Sequence, residues 1–301
     1  MSNSTHIAPP LFNRAAETLP PHLWFGVSAV FHYLGPAFAV LLFPAVGVLG
    51  VAWFRIVSAA AVLALISRPL QHFATAAPRE RLLLLGLGLS LAVMNCAFYL
   101  ALERLPIALV AAIEFLGTVM VALWGLRCRR NLMALGLTVL GVLLLIGLPS
   151  LWLDSAFTLD GVGLLWAVLN GGLFVCYVVL GHRAAAGGAG TGVARLGSAM
   201  MIACIAVMPI GLWQAMQVFG APLLVLAGVG VGLCSSVIPY ICDQLAMSRL
   251  PRRSFALMLA LLPATATVIG MVVLQQLPSV AEAAGVLLVM AGVALHRPLQ
   301  F

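Results

Sequence analysis

At 301 residues, 63% hydrophobic and only 8% charged, this chain has too little charge to cover a water-soluble fold, in which roughly a quarter of residues are charged. The net charge of +7 would suit a polyanion partner, but a soluble enzyme or nucleic-acid-binding module is excluded by the apolar bulk. Most of the surface must face lipid, so the expected class is an all-α integral membrane protein.

Residues 1–22 are polar and rich in proline (Pro9, Pro10, Pro20, Pro21), lack a positive-then-apolar signal pattern, and read as a cytoplasmic tail. A crossing helix needs about 20 mostly apolar residues. Ten such spans follow, at 24–44, 48–67, 82–102, 107–126, 131–148, 161–181, 193–213, 222–247, 254–274 and 279–296. None shows the period-two alternation of a barrel strand. Ser28, His32 and Pro36 share one face of the first span, and Arg55 lies inside the second. Asn95 and Tyr99 sit four apart on the third, and Glu114 lies inside the fourth, beside Val110, Gly117 and Thr118 on its face. After a connector at 149–160, Trp166, Asn170 and Tyr177 line one side of the sixth span. The glycine-rich stretch 187–192 reads as a flexible loop. In the eighth span Gly228-x-x-x-Gly232 permits close helix contact, and Asp243 falls in the last turns. Pro36, Pro209, Pro239 and Pro263 can open a span and free backbone carbonyls, which is tolerated only beside protein or a cavity.

The chain repeats itself. Leu100-Ala101, Arg104-Leu105-Pro106, Ala111, Leu116 and Gly125 return after a constant shift of 145 as Leu245-Ala246, Arg249-Leu250-Pro251, Ala256, Leu261 and Gly270. Weaker matches join Leu23-Trp24 to Leu165-Trp166 and Gly50-Val51-Ala52 to Gly192-Val193-Ala194. The expected layout is a five-helix repeat at 23–148, a loop at 149–160 and a second repeat at 161–297. An odd number of spans per copy inverts the second copy, the arrangement by which many secondary transporters build a site reachable from either side. Arginine placement agrees. Arg14, Arg68, Arg79, Arg81, Arg127, Arg129, Arg130, Arg183, Arg249, Arg252, Arg253 and Arg297 fall on one side of the ten-span layout. Arg104 stands on the other with Glu103, Asp154, Asp160 and Glu282. Under the positive-inside rule both termini are cytoplasmic.

An ionised group at mid-membrane costs at least about 2.5–3.5 kcal/mol on insertion scales, so Glu114 and Arg55 each need a reason. Glu114 fits an amine- or proton-binding carboxylate, or a structural ion pair with Arg55. Arg55 fits a two-pronged grip on a substrate carboxylate, a helix-packing role, or a reach back to the interface. Asp243 reads as a gating residue or as an interfacial salt bridge with Arg249 or Arg252. Asn95, Tyr99, His32, Asn170 and Tyr177 could face a small ligand, with His32 as a proton carrier, or simply bond between helices. No lysine is present, which excludes a GxxxxGK[ST] phosphate loop. His-Glu-x-x-His and Gly-x-Ser-x-Gly are missing too. The six cysteines show no CxxC spacing. No cofactor, metal or enzymatic activity is expected.

The stretch Asn95-Cys-Ala-Phe-Tyr-Leu-Ala-Leu-Glu-Arg-Leu-Pro106, running on to Ile113-Glu114-Phe115-Leu116-Gly117, resembles EamA-type proteins of the drug/metabolite transporter superfamily. Within them it is most similar to the threonine/homoserine exporter branch. Leu42-Phe43-Pro44-Ala45-Val46-Gly47, Phe54-Arg55, Ile238-Pro239-Tyr240-Ile241-Cys242-Asp243 and Arg249-Leu250-Pro251-Arg252-Arg253-Ser254-Phe255 extend the likeness to both repeats. The resemblance implies a ten-helix inner-membrane carrier exporting small amino acids in exchange for protons. It places the family's fourth-span acid on Glu114, its second-span arginine on Arg55 and its eighth-span acid on Asp243. The chain departs from the pattern at Thr118, where the family has Pro, at Leu262-Pro263 in place of Glu-Pro, and at Gln275-Gln276 in place of Gly-Glu. The competing expectations are an exporter of other metabolites or drugs, and a membrane scaffold or sensor with no flux. The expected partners are an amino acid, protons and the bilayer.

Overall fold

A computed structural model of the chain describes residues 18–125, 128–146, 160–186, 189–250, 254–255 and 258–295. The tail through residue 17, nearly all of the 149–160 connector, and Arg252 lie outside them. No strand occurs among the described residues. The helices are α1 Pro21–Val46, α2 Val48–Ser67, the short α3 Pro69–Thr75, α4 Pro78–Leu102, α5 Ile107–Gly125 and α6 Arg129–Leu145. Then come α7 Gly161–Ala185, α8 Ala189–Met216, α9 Pro222–Gly232, α10 Ile238–Met247, α11 Leu262–Leu274 and α12 Val280–Leu295. Six rods, namely α1, α2, α4, α7, α8 and α9 through α10, are long and apolar enough to cross a membrane. The protein is an all-helical, multi-pass membrane protein.

Local chemistry sets the boundaries. Helices α1, α3, α4 and α9 each open with proline in the first turn, where its missing N–H is not needed and its fixed φ suits the helix. The Asp160 carboxylate accepts from the Gly163 N–H at 2.8 Å and caps α7. Gly47 alone joins α1 to α2 at φ 79° and ψ 150°, a conformation glycine reaches without Cβ strain. The Gln214 side chain from α8 accepts from the Gly50 N–H at 2.9 Å and covers one of the open donors of α2.

Small residues then decide which rods touch. A Cβ on Gly211 would strike the Leu49 carbonyl, and one on Gly197 would strike Ser67, so α2 and α8 lie antiparallel along their length. Gly141 and Gly285 face each other where α6 crosses α12, each within 3 Å of the other's carbonyl if given a Cβ. Gly228 lies on the Phe54 ring and Gly232 against Ser58, so this pair brings α9 onto α2 as its spacing requires.

Three expected elements differ. The eighth span is not one α-helix: Leu233–Val237 forms a π turn between α9 and α10, because Pro239 has no N–H for the carbonyl four residues back. The ninth opens with a 3-10 turn, Leu259–Leu261, before α11. Gly190 and Gly192, expected in a loop, belong to α8; Gly192 packs against Gln244 and Ala185, and that burial holds it helical.

Candidate functional site

Glu114 is buried on α5 where that helix meets α7 at closest range. A Cβ on Gly117 would come within 2.9 Å of the Gly171 carbonyl, and one on Gly171 within 3.0 Å of the Ile113 carbonyl. The small face beside Glu114 therefore receives an approaching helix. That approach sets Asn170 of α7 against the carboxylate, with Nδ2 donating to Oε2 at 3.0 Å. From α1, His32 Nε2 stands 3.9 Å from Oε1. The Tyr33 hydroxyl, also buried on α1, has no hydrogen-bond partner among the described residues.

Arg55 is buried on α2 opposite the π turn. Its Nε donates to Ser236 Oγ at 2.8 Å and its Nη2 to the Ser235 carbonyl at 3.0 Å. That carbonyl is the one Pro239 cannot serve, so the distorted backbone and the guanidinium satisfy each other. The guanidinium lies over the rings of Tyr99 at 5.2 Å and Phe98 at 5.9 Å. Nη1 is buried with no hydrogen-bond partner among the described residues. The ion pair between Glu114 and Arg55 that the sequence left open does not form, since Asn170 and His32 face one group and the serines hold the other.

Both charges instead line one cavity, together with His32, Asn95, Asn170, Met94, Phe98 and Tyr240. Its free volume is about 10 Å³, roughly room for one water, so this conformation is closed around its polar centre. Asn95 donates to the Leu91 carbonyl at 2.6 Å and accepts from the Tyr240 hydroxyl at 3.3 Å. Tyr240 was not singled out in the sequence. The repeat held the signal, because Asn95 and Tyr240 stand one shift of 145 apart.

Asp243 is buried as well, and Arg252, one of the two partners expected for it, lies outside the described residues. An interfacial salt bridge was one expectation, yet the side chain is buried and both oxygens accept from hydroxyls: Oδ1 from Ser28 at 2.6 Å and Oδ2 from Tyr177 at 2.8 Å. Arg249 follows the end of α10 and reaches the Leu19 carbonyl at 2.9 Å. Asp243, Ser28 and Tyr177 line a second small cavity, and His32 lines that one as well. Of the expected residues, His32, Arg55, Asn95, Glu114 and Asn170 meet in the first cavity, Tyr99 supports Arg55, and Tyr177 joins Asp243 next door. Trp166 packs against the apolar core and lines neither cavity.

Fold and site together define a polytopic helical membrane protein that holds a buried carboxylate and a buried guanidinium apart around one narrow cavity. No family model matches the chain. The threonine/homoserine exporter RhtA of Salmonella typhimurium is 34% identical over 247 residues, which are 80% of this chain and 79% of that protein. RhtA of Escherichia coli is 32% identical over 243 residues, with the same coverage. A crystal structure that covers 91% of this chain and 96% of its own superposes with a TM-score of 0.56 at 20% identity, a likeness of fold. The chain belongs to the threonine/homoserine exporter family of EamA-type drug/metabolite transporters.

Proposed function

We propose that the protein is a secondary transporter of the inner membrane that exports small amino acids of the threonine and homoserine type, coupled to protons, by alternating access. One observation carries this reading. Glu114 and Arg55 face the same buried cavity without pairing, which suits a zwitterion whose ammonium meets the carboxylate and whose carboxylate meets the free Nη1. Asn95 and Asn170 stand beside them as neutral hydrogen-bonding groups. At about 10 Å³ the cavity admits such a solute only when helices part, as alternating access requires.

Ten crossings in two inverted five-helix repeats, with both termini in the cytoplasm, complete the proposal. Its support lies in the contacts between corresponding elements. Helices α2 and α8 run antiparallel, Gly141 meets Gly285, and Asn95 bonds Tyr240, which stands one repeat shift away. A residue near a two-fold axis meets its own counterpart in this way. Arg104 bonds Asp160 at 3.2 Å at the proposed outer end, while Glu80 and Arg195 pair at 2.6 Å at the inner end.

Counterflow of labelled threonine and homoserine into proteoliposomes tests the proposal. Wild type is expected to exchange solute with a pH-dependent rate. Glu114→Gln is expected to lower the rate by about 10- to 100-fold, the loss of one charge-assisted contact at roughly 1.5–3 kcal/mol. Equal rates in the two proteins at every pH would remove Glu114 from the mechanism. A wild type with no counterflow of any solute would leave the scaffold reading.

A further inference from the structure

We propose that Asp243 is a second proton-binding carboxylate and that His32 connects it to Glu114, forming a path from the central cavity toward the end of the bundle where α1 begins. The proposal rests on the carrier reading above and deepens it.

The geometry lies on one face of α1. Ser28 and His32 are four residues apart, one turn of helix. Ser28 is the nearer to the start of α1, and its hydroxyl donates to Asp243 Oδ1 at 2.6 Å. His32, one turn further in, has Nε2 at 3.9 Å from Glu114 Oε1, a gap that one water or a rotamer change would close. His32 is also the one residue that lines both the Glu114 and the Asp243 cavity. Its titratable or charged surroundings are Glu114 on α5, Arg55 on α2, Tyr177 on α7, Tyr240 and Asp243 on α10, and its neighbour Tyr33. Of these, the two carboxylates are the groups able to accept a proton that the imidazole releases.

The transfer balances without any other reactant. The proton on Glu114 passes to Nε2 of the neutral imidazole, leaving a carboxylate able to take the substrate ammonium. The imidazolium then gives up its Nδ1 proton to the Asp243 carboxylate, and a tautomer exchange restores the ring. Ser28 and Tyr177 hold Asp243 in place as acceptor and proton holder by turns. Solute leaving outward and a proton moving inward along this path would then be linked at Glu114.

Infrared titration of the full-length protein in nanodiscs, without any transported solute, tests this independently of flux. The protonated-carboxyl bands are assigned by their loss in Glu114→Gln and Asp243→Asn. Removing either carboxyl is expected to move the titration midpoint of the other by about one pH unit, because linked sites titrate as a pair. In a His32→Gln background that displacement is expected to vanish. Ser28→Ala, which leaves all three groups present, is expected to move both midpoints. Independent titration of the two carboxyls, or a displacement that survives His32→Gln unchanged, would overturn the path. Either result would leave the carrier reading standing, since that reading fails only if counterflow fails.

Discussion

At the scale of single residues the site is costly in stability. Arg55 is buried in the protein with no ion pair among the described residues; two serine contacts and two aromatic rings offset only part of its desolvation. Removing the buried charge relieves that desolvation, while the Ser235 carbonyl left without its donor costs about 1–3 kcal/mol. Arg55→Met is therefore expected to change the thermal midpoint in detergent only slightly while counterflow disappears. A large drop in the midpoint would instead make Arg55 a packing residue, the role the sequence left open. Glu114 and Arg55 were legible because a charge inside an apolar run stands out whatever the fold. Their partners were not. Serines and tyrosines are common in such spans, and only the crossing of α5 with α7 at Gly117 and Gly171 selects Asn170 over other polar residues.

Among elements, the two departures from the family pattern at 275–276 acquire separate meanings. Gln275 ends α11 in the left-handed region at φ 56°, where the family's residue is glycine. A side chain there costs about 1 kcal/mol or more. Gln275→Gly is expected to raise stability by about 1 kcal/mol, measured as a higher thermal midpoint with flux unchanged. Gln276, where the family has Glu, accepts from the Ile107 N–H at 3.3 Å and covers the first turn of α5, the helix that carries Glu114. It lies in a lateral pocket of about 120 Å³ between α5, α11 and α12, away from the central cavity. Hydropathy pointed to the six rods long and apolar enough to cross a membrane, but not to where proline chemistry reshapes one of them. No periodicity announces that the eighth span unwinds into a π turn, because the cause is a missing N–H at Pro239 and a guanidinium ready to take the carbonyl.

For the whole molecule, pH acts through contacts at the starts of two helices. Where α3 meets the start of α4, His72 Nε2 stands 3.6 Å from Glu80, which also pairs with Arg195. Burial holds the His72 imidazole below its usual value, and nearby Arg195 adds to this against the upward pull of Glu80. The fold therefore prefers the neutral ring. Its stabilisation is complete above the unfolded value of about 6.5 and is lost as pH falls from there through the folded value. The thermal midpoint is expected to decline as pH falls below about 6.5, and His72→Gln should flatten that decline. An unchanged slope in the variant would assign the effect elsewhere. At the start of α7 the Asp160 carboxyl lies below its usual range, chiefly because the Gly163 N–H bonds it, with Arg104 assisting. That contribution holds above the unfolded value and is lost only in stronger acid.

Composition alone placed the chain in a membrane, since 8% charge cannot cover a soluble surface. Hydropathy located the six long rods, and letters recurring at a shift of 145 pointed to a repeat. These properties are local or periodic along the chain, so they survive without knowledge of contacts. The tertiary structure decided which charges meet. It separated Glu114 from Arg55, drew Asp243 inward to Ser28 and Tyr177, and set His32 between two carboxylates. Such pairings join residues remote in sequence and depend on helix rotation and on glycine contacts of a few ångströms, which one dimension does not encode.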